Sequence, residues 1–346
     1  YGAGVLSNQP TGCALNDLNG DGRLDVVVAK LTSNDLDSGA VAVLLGNGDG
    51  TLRPAQETMV ALHARPVVLV DLDGDGRRDL VTAGSVAHRV DLLRGRGDGT
   101  FERPRHFLLP LRPLPFPESV AAARLTASGA IDLVVGQSQS ESVAILHGDG
   151  AGGFRGRPSV LPVGKKSHAL TVADLNYDGR DEIVTANEDG TVSLLIGRGE
   201  ARFEPARTTP VGRELGAIIT AALAPLDGHL DLLITDRAAG RLWVVRNERG
   251  RLGAATSYAV GRRPLGVAAA DLDGDGRVDV VVGNQGDGSL SLLRGRGDRR
   301  LDDAETVPVA PGPECIAIGD INGDGRPDVV VSHHTVNRIS VLLNRP

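Results

Sequence analysis

Short apolar runs rich in valine, leucine and alanine recur along the whole chain, each broken within a few residues by glycine, aspartate or asparagine. None carries a sustained 3.6-residue period, so the runs predict strands and an all-β chain. Ahead of each acidic turn the strand alternates in size. Large residues such as Val267, Ile316, Leu170, Leu15, Leu69 and Ile318 interleave with small ones such as Gly12, Ala14, Ala121, Ala268, Ala317 and Gly319. Alternation places the two sets on opposite faces, and neither face is polar. A sheet of this kind has to be covered on both sides, which predicts small sheets stacked face to face around an axis.

The polar punctuation is regular. The stretch from Asp17 to Asp25, with Asn19 and Asp21 between them, sets oxygen-bearing side chains at positions 1, 3, 5 and 9 around Gly22 at position 6. Together with the backbone carbonyl of Arg23 at position 7, these atoms can surround one hard cation, as an EF-hand loop does over a longer span. The pattern returns as Asp71, Asp73, Asp75, Arg77 and Asp79; as Asp174, Asn176, Asp178, Arg180 and Glu182; as Asp271, Asp273, Asp275, Arg277 and Asp279; and as Asp320, Asn322, Asp324, Arg326 and Asp328. Two worn copies lie between them, at 124–132 and 223–231. The first keeps Gly129 and Asp132, the second Asp227, Gly228 and Asp231. The seven starting positions, 17, 71, 124, 174, 223, 271 and 320, are 48 to 54 residues apart. A period near fifty makes residues 1–346 one closed repeat array rather than two or three domains.

Aspartate, asparagine and glycine favour turns with no metal present. Five copies with the same oxygen spacing point further, to about five structural Ca²⁺ sites, since so many carboxylates in a flexible loop suit a larger ion than Mg²⁺. The loops at 71 and 271, with four carboxylates each, are expected to bind tighter than those carrying asparagine. The ligand positions of the five intact loops hold 17 of the 44 acidic side chains. The formal net charge of −7 would therefore become +3 with five bound Ca²⁺. The arginines are scattered through turns, with no basic run interleaved with aromatics, which argues against a nucleic-acid partner. No apolar run approaches the roughly 18 residues needed to cross a membrane. The chain begins at Tyr1, which leaves room for a leader segment ahead of it.

The Asp-x-Asn-Gly-Asp-Gly-x-x-Asp loop before a Val-Val-Val-Ala strand, followed by the turn seen from Leu92 to Phe101, resembles the FG-GAP (VCBS-type) repeat family. Its seven-bladed propeller is shared with integrin α-subunit heads. The resemblance covers essentially the whole chain. It implies a seven-bladed β-propeller of four-stranded antiparallel blades, with the metal loop joining the first and second strands of each blade. Residues 313–344 supply only three strands of the last blade, so residues 2–7 are expected to add the fourth and close the ring. Cys13 and Cys315 then fall in the innermost strands of neighbouring blades, either bonded or as two buried thiols.

The resemblance also implies a secreted, cell-surface or periplasmic module that recognises a protein partner without catalysis. Two alternatives stand beside it: a glycan-binding lectin, and a polysaccharide lyase or hydrolase built on the same propeller. Against the lectin, Trp243 is the one tryptophan, and Tyr1, Tyr177 and Tyr258 fall in outer strands or a metal loop. Against the enzyme, no nucleophile elbow, zinc motif or phosphate loop is present. Two insertions, around 31–38 and 108–119, are expected on the face opposite the metal loops and make that face the candidate for the ligand. His63, His88, His168, His333 and His334 belong to the same face. Arg96-Gly97-Asp98 and Arg296-Gly297-Asp298 read as hairpin turns rather than adhesion tripeptides.

Overall fold

A computed structural model describes residues 2–5, 9–31, 39–61, 63–109 and 116–345. Among these residues 28 strands form seven antiparallel sheets of four. Blade 1 is typical: Pro10–Asn16 lies innermost, followed outward by Asp25–Leu31, Gly39–Leu44 and Gln56–Val60. Blades 2 to 6 repeat this order over 68–108, 117–162, 167–210, 215–259 and 264–308. Blade 7 takes Pro313–Gly319, Asp328–His333 and Arg338–Leu342 from the end of the chain and Gly2–Val5 from its beginning. Gly2 pairs with Ser340 and Ala3 with Ile339, so the ring closes through the amino-terminal strand as the sequence implies.

The core is seven apolar layers, one between each pair of blades. Val27, Ala29, Val41 and Val43 of blade 1 face Leu80, Leu93 and Phe101 of blade 2. On the other side of the same sheet, Val26, Val28, Ala42 and Leu44 face Val330, Ile339 and Val341 of blade 7. Successive residues of one strand thus enter different layers, which is why these strands read as continuous apolar runs. The outermost strands, such as Gln56–Val60 with mostly exposed positions, meet solvent.

Ring closure has a covalent part as well. Cys13 and Cys315 form a disulfide with Cα atoms 5.8 Å apart, joining the innermost strands of blades 1 and 7 across 302 residues of chain. The expected insertions at 31–38 and 108–119 fall largely outside the described residues, at 32–38 and 110–115. Next to the second one, the Phe116 ring meets His88 edge-on with centroids 4.9 Å apart.

Candidate metal centre

In each intact loop the backbone winds tightly because position 6 is a glycine with φ between +81° and +84° (Gly22, Gly76, Gly179, Gly276, Gly325), where an L side chain would be strained. The first aspartate is the hub. Asp17 accepts hydrogen bonds from the backbone N–H of Gly20 (2.8 Å), Asp21 (3.2 Å) and Gly22 (2.8 Å). Asp71, Asp174, Asp271 and Asp320 repeat the contact with the glycine at position 6. Positions 3 and 5 each accept from the amide two residues on, as Asn19 does from Asp21 and Asp21 from Arg23. These bonds aim side-chain oxygens of positions 1, 3 and 5 into one turn.

Position 9 has a second task. Asp25 accepts from Leu18 N–H and Gly46 N–H, both at 2.9 Å, tying the metal loop to the turn between strands three and four. Asp79, Asp132, Glu182, Asp279 and Asp328 make the same pair of bonds in their own blades. Asp231 accepts from Asn247 N–H. Burial pushes the carboxyls of Asp25, Asp79, Glu182 and Asp279 above the usual range; the amide bonds pull against it and nearby loop carboxylates add to it. The latch explains why the worn copies keep Asp132 and Asp231: the fold needs position 9 whether or not a cation binds. The partner glycine is equally constrained. A Cβ on Gly95 would lie 2.2 Å from the carbonyl oxygen of Arg78, and one on Gly46 would lie 2.3 Å from that of Leu24.

Two intact loops gather their carboxylates most closely. Oxygens of Asp71, Asp73 and Asp79 lie within 4.8 Å of one another, as do those of Asp271, Asp273 and Asp275. Ligands about 2.3–2.6 Å from one Ca²⁺ have this mutual spacing, so the donor set fits that ion. In these loops position 3 is aspartate, and an arginine meets the added charge. Arg94 is 3.5 Å from Asp73 and Arg294 is 2.5 Å from Asp273. Where position 3 is asparagine (Asn19, Asn176, Asn322), the residue matching Arg94 is Leu45, Ile196 or Leu343. The fourth carboxylate therefore arrives with a competing cation, which works against the expected ranking of the loops.

The worn loops are held by protein groups. In blade 5, Arg299 reaches in from blade 6 to Asp227 (2.8 Å) and Asp231 (3.2 Å). From the other side Tyr177 of blade 4 stacks on His229, and its hydroxyl oxygen accepts from Leu230 N–H at 2.6 Å. Tyr177 occupies position 4 with φ +62°, where most other loops have glycine. In blade 3, Thr126 and Ser128 bond to each other and Glu200 of blade 4 accepts from Ala127 N–H.

The metal loops also join the blades. The apolar side chain at position 2, such as Leu18 or Leu175, is buried in the layer shared with the next blade. Its carbonyl accepts from that blade: Leu18 from Gly99 N–H (3.3 Å), Leu175 from the Asn247 amide (2.8 Å) and Leu272 from the Asn344 amide (2.5 Å). Order in a loop is thereby passed to a blade interface.

At the opposite end of the ring, the residue six places before each loop lines one axial funnel of about 250 Å³: Thr11, Arg65, Glu118, His168, Ala217, Leu265 and Glu314. Sequence reasoning noted His168 only as one of several histidines and missed the others. The signal was available as a column of the repeat, in which four of seven positions are charged or titratable. His63, His88 and His334 lie in turns at this end. His333 is buried instead, with Nε2 2.9 Å from the Ser340 hydroxyl, and burial lowers its pKa. The Arg-Gly-Asp stretch at 96–98 is a turn whose Asp98 is taken by the amide and hydroxyl of Thr100.

A search of curated protein sequences returned no match. Among solved structures, BBS1N in complex with ARL6DN is 14% identical with TM-score 0.66, covering 99% of this chain and 94% of that one. A lectin from Agrocybe aegerita, described as recognising non-reducing terminal N-acetylglucosamine, is 17% identical with TM-score 0.59, covering 95% and 86%. The periplasmic gluconolactonase of Pseudomonas aeruginosa is 17% identical with TM-score 0.67, covering 97% and 89%. At such identities the likeness extends to the fold alone. The model of the FG-GAP-like repeat matches residues 17–82, 71–135, 124–185, 226–282 and 271–331, and with the acidic loop repeated around a seven-bladed ring, this chain belongs to the FG-GAP-like repeat family.

Proposed function

We propose that this chain is a calcium-stabilised recognition propeller working outside the cytoplasm, with the face opposite the metal loops meeting a protein partner. The observation that carries the reading is the convergence of Asp71, Asp73 and Asp79, repeated at Asp271, Asp273 and Asp275, on loops whose second residue, Leu72 or Leu272, packs into a blade interface. A cation there would draw mutually repelling carboxylates together and stiffen the contact between blades. The loops at 17–25, 174–182 and 320–328 would bind in the same way. The disulfide between Cys13 and Cys315 suits an oxidising compartment, where calcium is plentiful and modules with dissociation constants of about 10⁻⁴–10⁻³ M fill.

A protein partner is favoured over a glycan because aromatic rings that could stack on sugar are engaged within the fold. The Tyr177 and Tyr258 hydroxyls accept from Leu230 and Leu301, and Trp243 donates to Asp236. Thermal unfolding in millimolar calcium against excess chelator tests the metal part. Five sites of that affinity stabilise by about 2–7 kcal/mol in total at 1 mM. Superimposable melts would refute it. Binding on a glycan array, with no loss on substituting exposed residues around His63, would replace the protein partner by a carbohydrate.

A further inference from the structure

The axial funnel is a second polar centre, remote from the acidic loops and unrelated to calcium. Each blade contributes the same position of its repeat to it, so groups some fifty residues apart in sequence converge on the ring axis. Its two carboxyls are in different states. Glu118 is bonded to His168 at 2.6 Å. Burial acts to raise its pKa, but the His168 contact, helped by Arg65, outweighs burial and holds the group below the usual range. Glu314 is more deeply buried, and its nearest partners among the described residues are His334 Nδ1 at 3.2 Å and Arg65 Nη1 at 4.0 Å. Burial pushes it up to about 7, against the pull of Arg65 and Arg237. His334 is itself lowered by burial and by Arg65, so its imidazole stays neutral near pH 7.

Apart from Glu118 Oε2, which faces His168, and His334 Nδ1, which faces Glu314, the groups left with capacity are the donors of two arginines. Among the described residues the Arg65 side chain makes only the long ion pair to Glu314, and Arg237 pairs with Glu214 through Nη2 while its buried Nε has no acceptor. A cationic ligand would sit between two guanidinium groups and find Glu118 already bonded. An anion is received by both arginines. The walls between them, formed by Pro66, Ala169, Leu265, Val267 and Ile316, are apolar and suit an organic body better than a hydrated inorganic ion. The volume of about 250 Å³ lies just below the usual range for drug-sized ligands and limits the occupant to a small group.

We propose that this funnel binds a carboxylate borne on a group of sugar or side-chain size, received by Arg65 and Arg237 with the Glu314 carboxyl donating a hydrogen bond to it. The free acid of a sugar and an aspartyl side chain of a partner present the same chemistry. The flanking innermost strands of blades 1 and 6 bring Thr11, Leu265, Gly266 and Val267 to this point, none of them an acid or a base, and the Glu118–His168 pair belongs to blades 3 and 4 across the funnel. Glu314 is therefore the group whose proton counts. Since its pKa is raised, the donor is present below about pH 7 and is lost above it, so affinity falls about tenfold per pH unit on the alkaline side.

Isothermal titration of the whole calcium-loaded chain with galacturonate, with a capped aspartyl peptide and with galactose, between pH 5.5 and 8.5, tests this. One or both acids should bind, galactose should not, and the acid that binds identifies the source. Glu314→Gln keeps a donor and should flatten the pH dependence while binding persists. Arg65→Met, at a half-exposed position, should weaken binding at least tenfold with the melt unchanged. No saturable binding of either acid at millimolar concentration, an unaltered pH slope in Glu314→Gln, or full affinity in Arg65→Met would each overturn the proposal. The titrations of the unsubstituted chain decide the first point even if a variant misfolds, and a failure here leaves the calcium melts untouched.

Discussion

Removing the disulfide is the sharpest test of how the ring is held. Cys13 and Cys315 lie 302 residues apart, so the bond joins nearly the two ends of the unfolded chain and sharply reduces its freedom. The chain-entropy relation gives about 5–6 kcal/mol for a loop of this size, while observed effects reach about 5, so about 3–5 kcal/mol is expected. Unfolding entropy of about 2 cal/mol/K per residue, taken over 346 residues, converts this to a fall of about 4–7 °C in midpoint. The double variant Cys13→Ala, Cys315→Ala should show that fall in calcium-loaded protein. Its urea slope should also rise, because an uncrosslinked unfolded chain exposes more surface. The pairing of Gly2–Val5 with Arg338–Leu342 remains in the variant, so the ring should still form. If midpoint and slope both match the parent chain, closure rests on the amino-terminal strand and the entropic argument fails.

Three further outcomes are expected. Arg299→Met leaves the buried Asp231 without its guanidinium partner and should cost about 3 kcal/mol in urea denaturation, somewhat discounted because Asp227 is partly exposed; added calcium should not restore it, as the worn loop has too few carboxylates. Arg94→Leu removes the cation competing for Asp73, so calorimetry should show calcium binding one loop about three- to tenfold tighter, as expected from losing one repulsive charge at partial screening; equal affinity would mean that Arg94 swings clear when the ion enters. Gly95→Ala forces a Cβ against the Arg78 carbonyl and should lose about 2–3 kcal/mol in thermal unfolding, whereas Gly74→Ala, with open space around it, should lose only about 1 kcal/mol through its left-handed φ. Equal losses would place the constraint in backbone conformation rather than in the close approach.

The repeat period, the alternation of large and small residues and the glycine at position 6 determined seven repeats of stacked sheet and the place of the acidic loops along the chain, and the family resemblance added the four-stranded blade and its strand order. The alternation and the glycine are local properties, because a strand's face and a turn's conformation depend on neighbours within a few residues, and the period only counts how often they recur. Even the closing strand was legible, since residues 313–344 fall one strand short. What only the tertiary structure decided involves groups distant in sequence. Neighbouring innermost strands left Cys13 and Cys315 either bonded or as two buried thiols, and the geometry of the closed ring chose bonding. Arg299 stands in for a cation in the loop of another blade, and the carboxylate at position 9 latches a turn 15 to 21 residues away. Glu314, Arg65 and Glu118 look like isolated charges in three separate repeats; the ring axis makes them one site, because closing a circle of blades brings the same position of every repeat to a common centre.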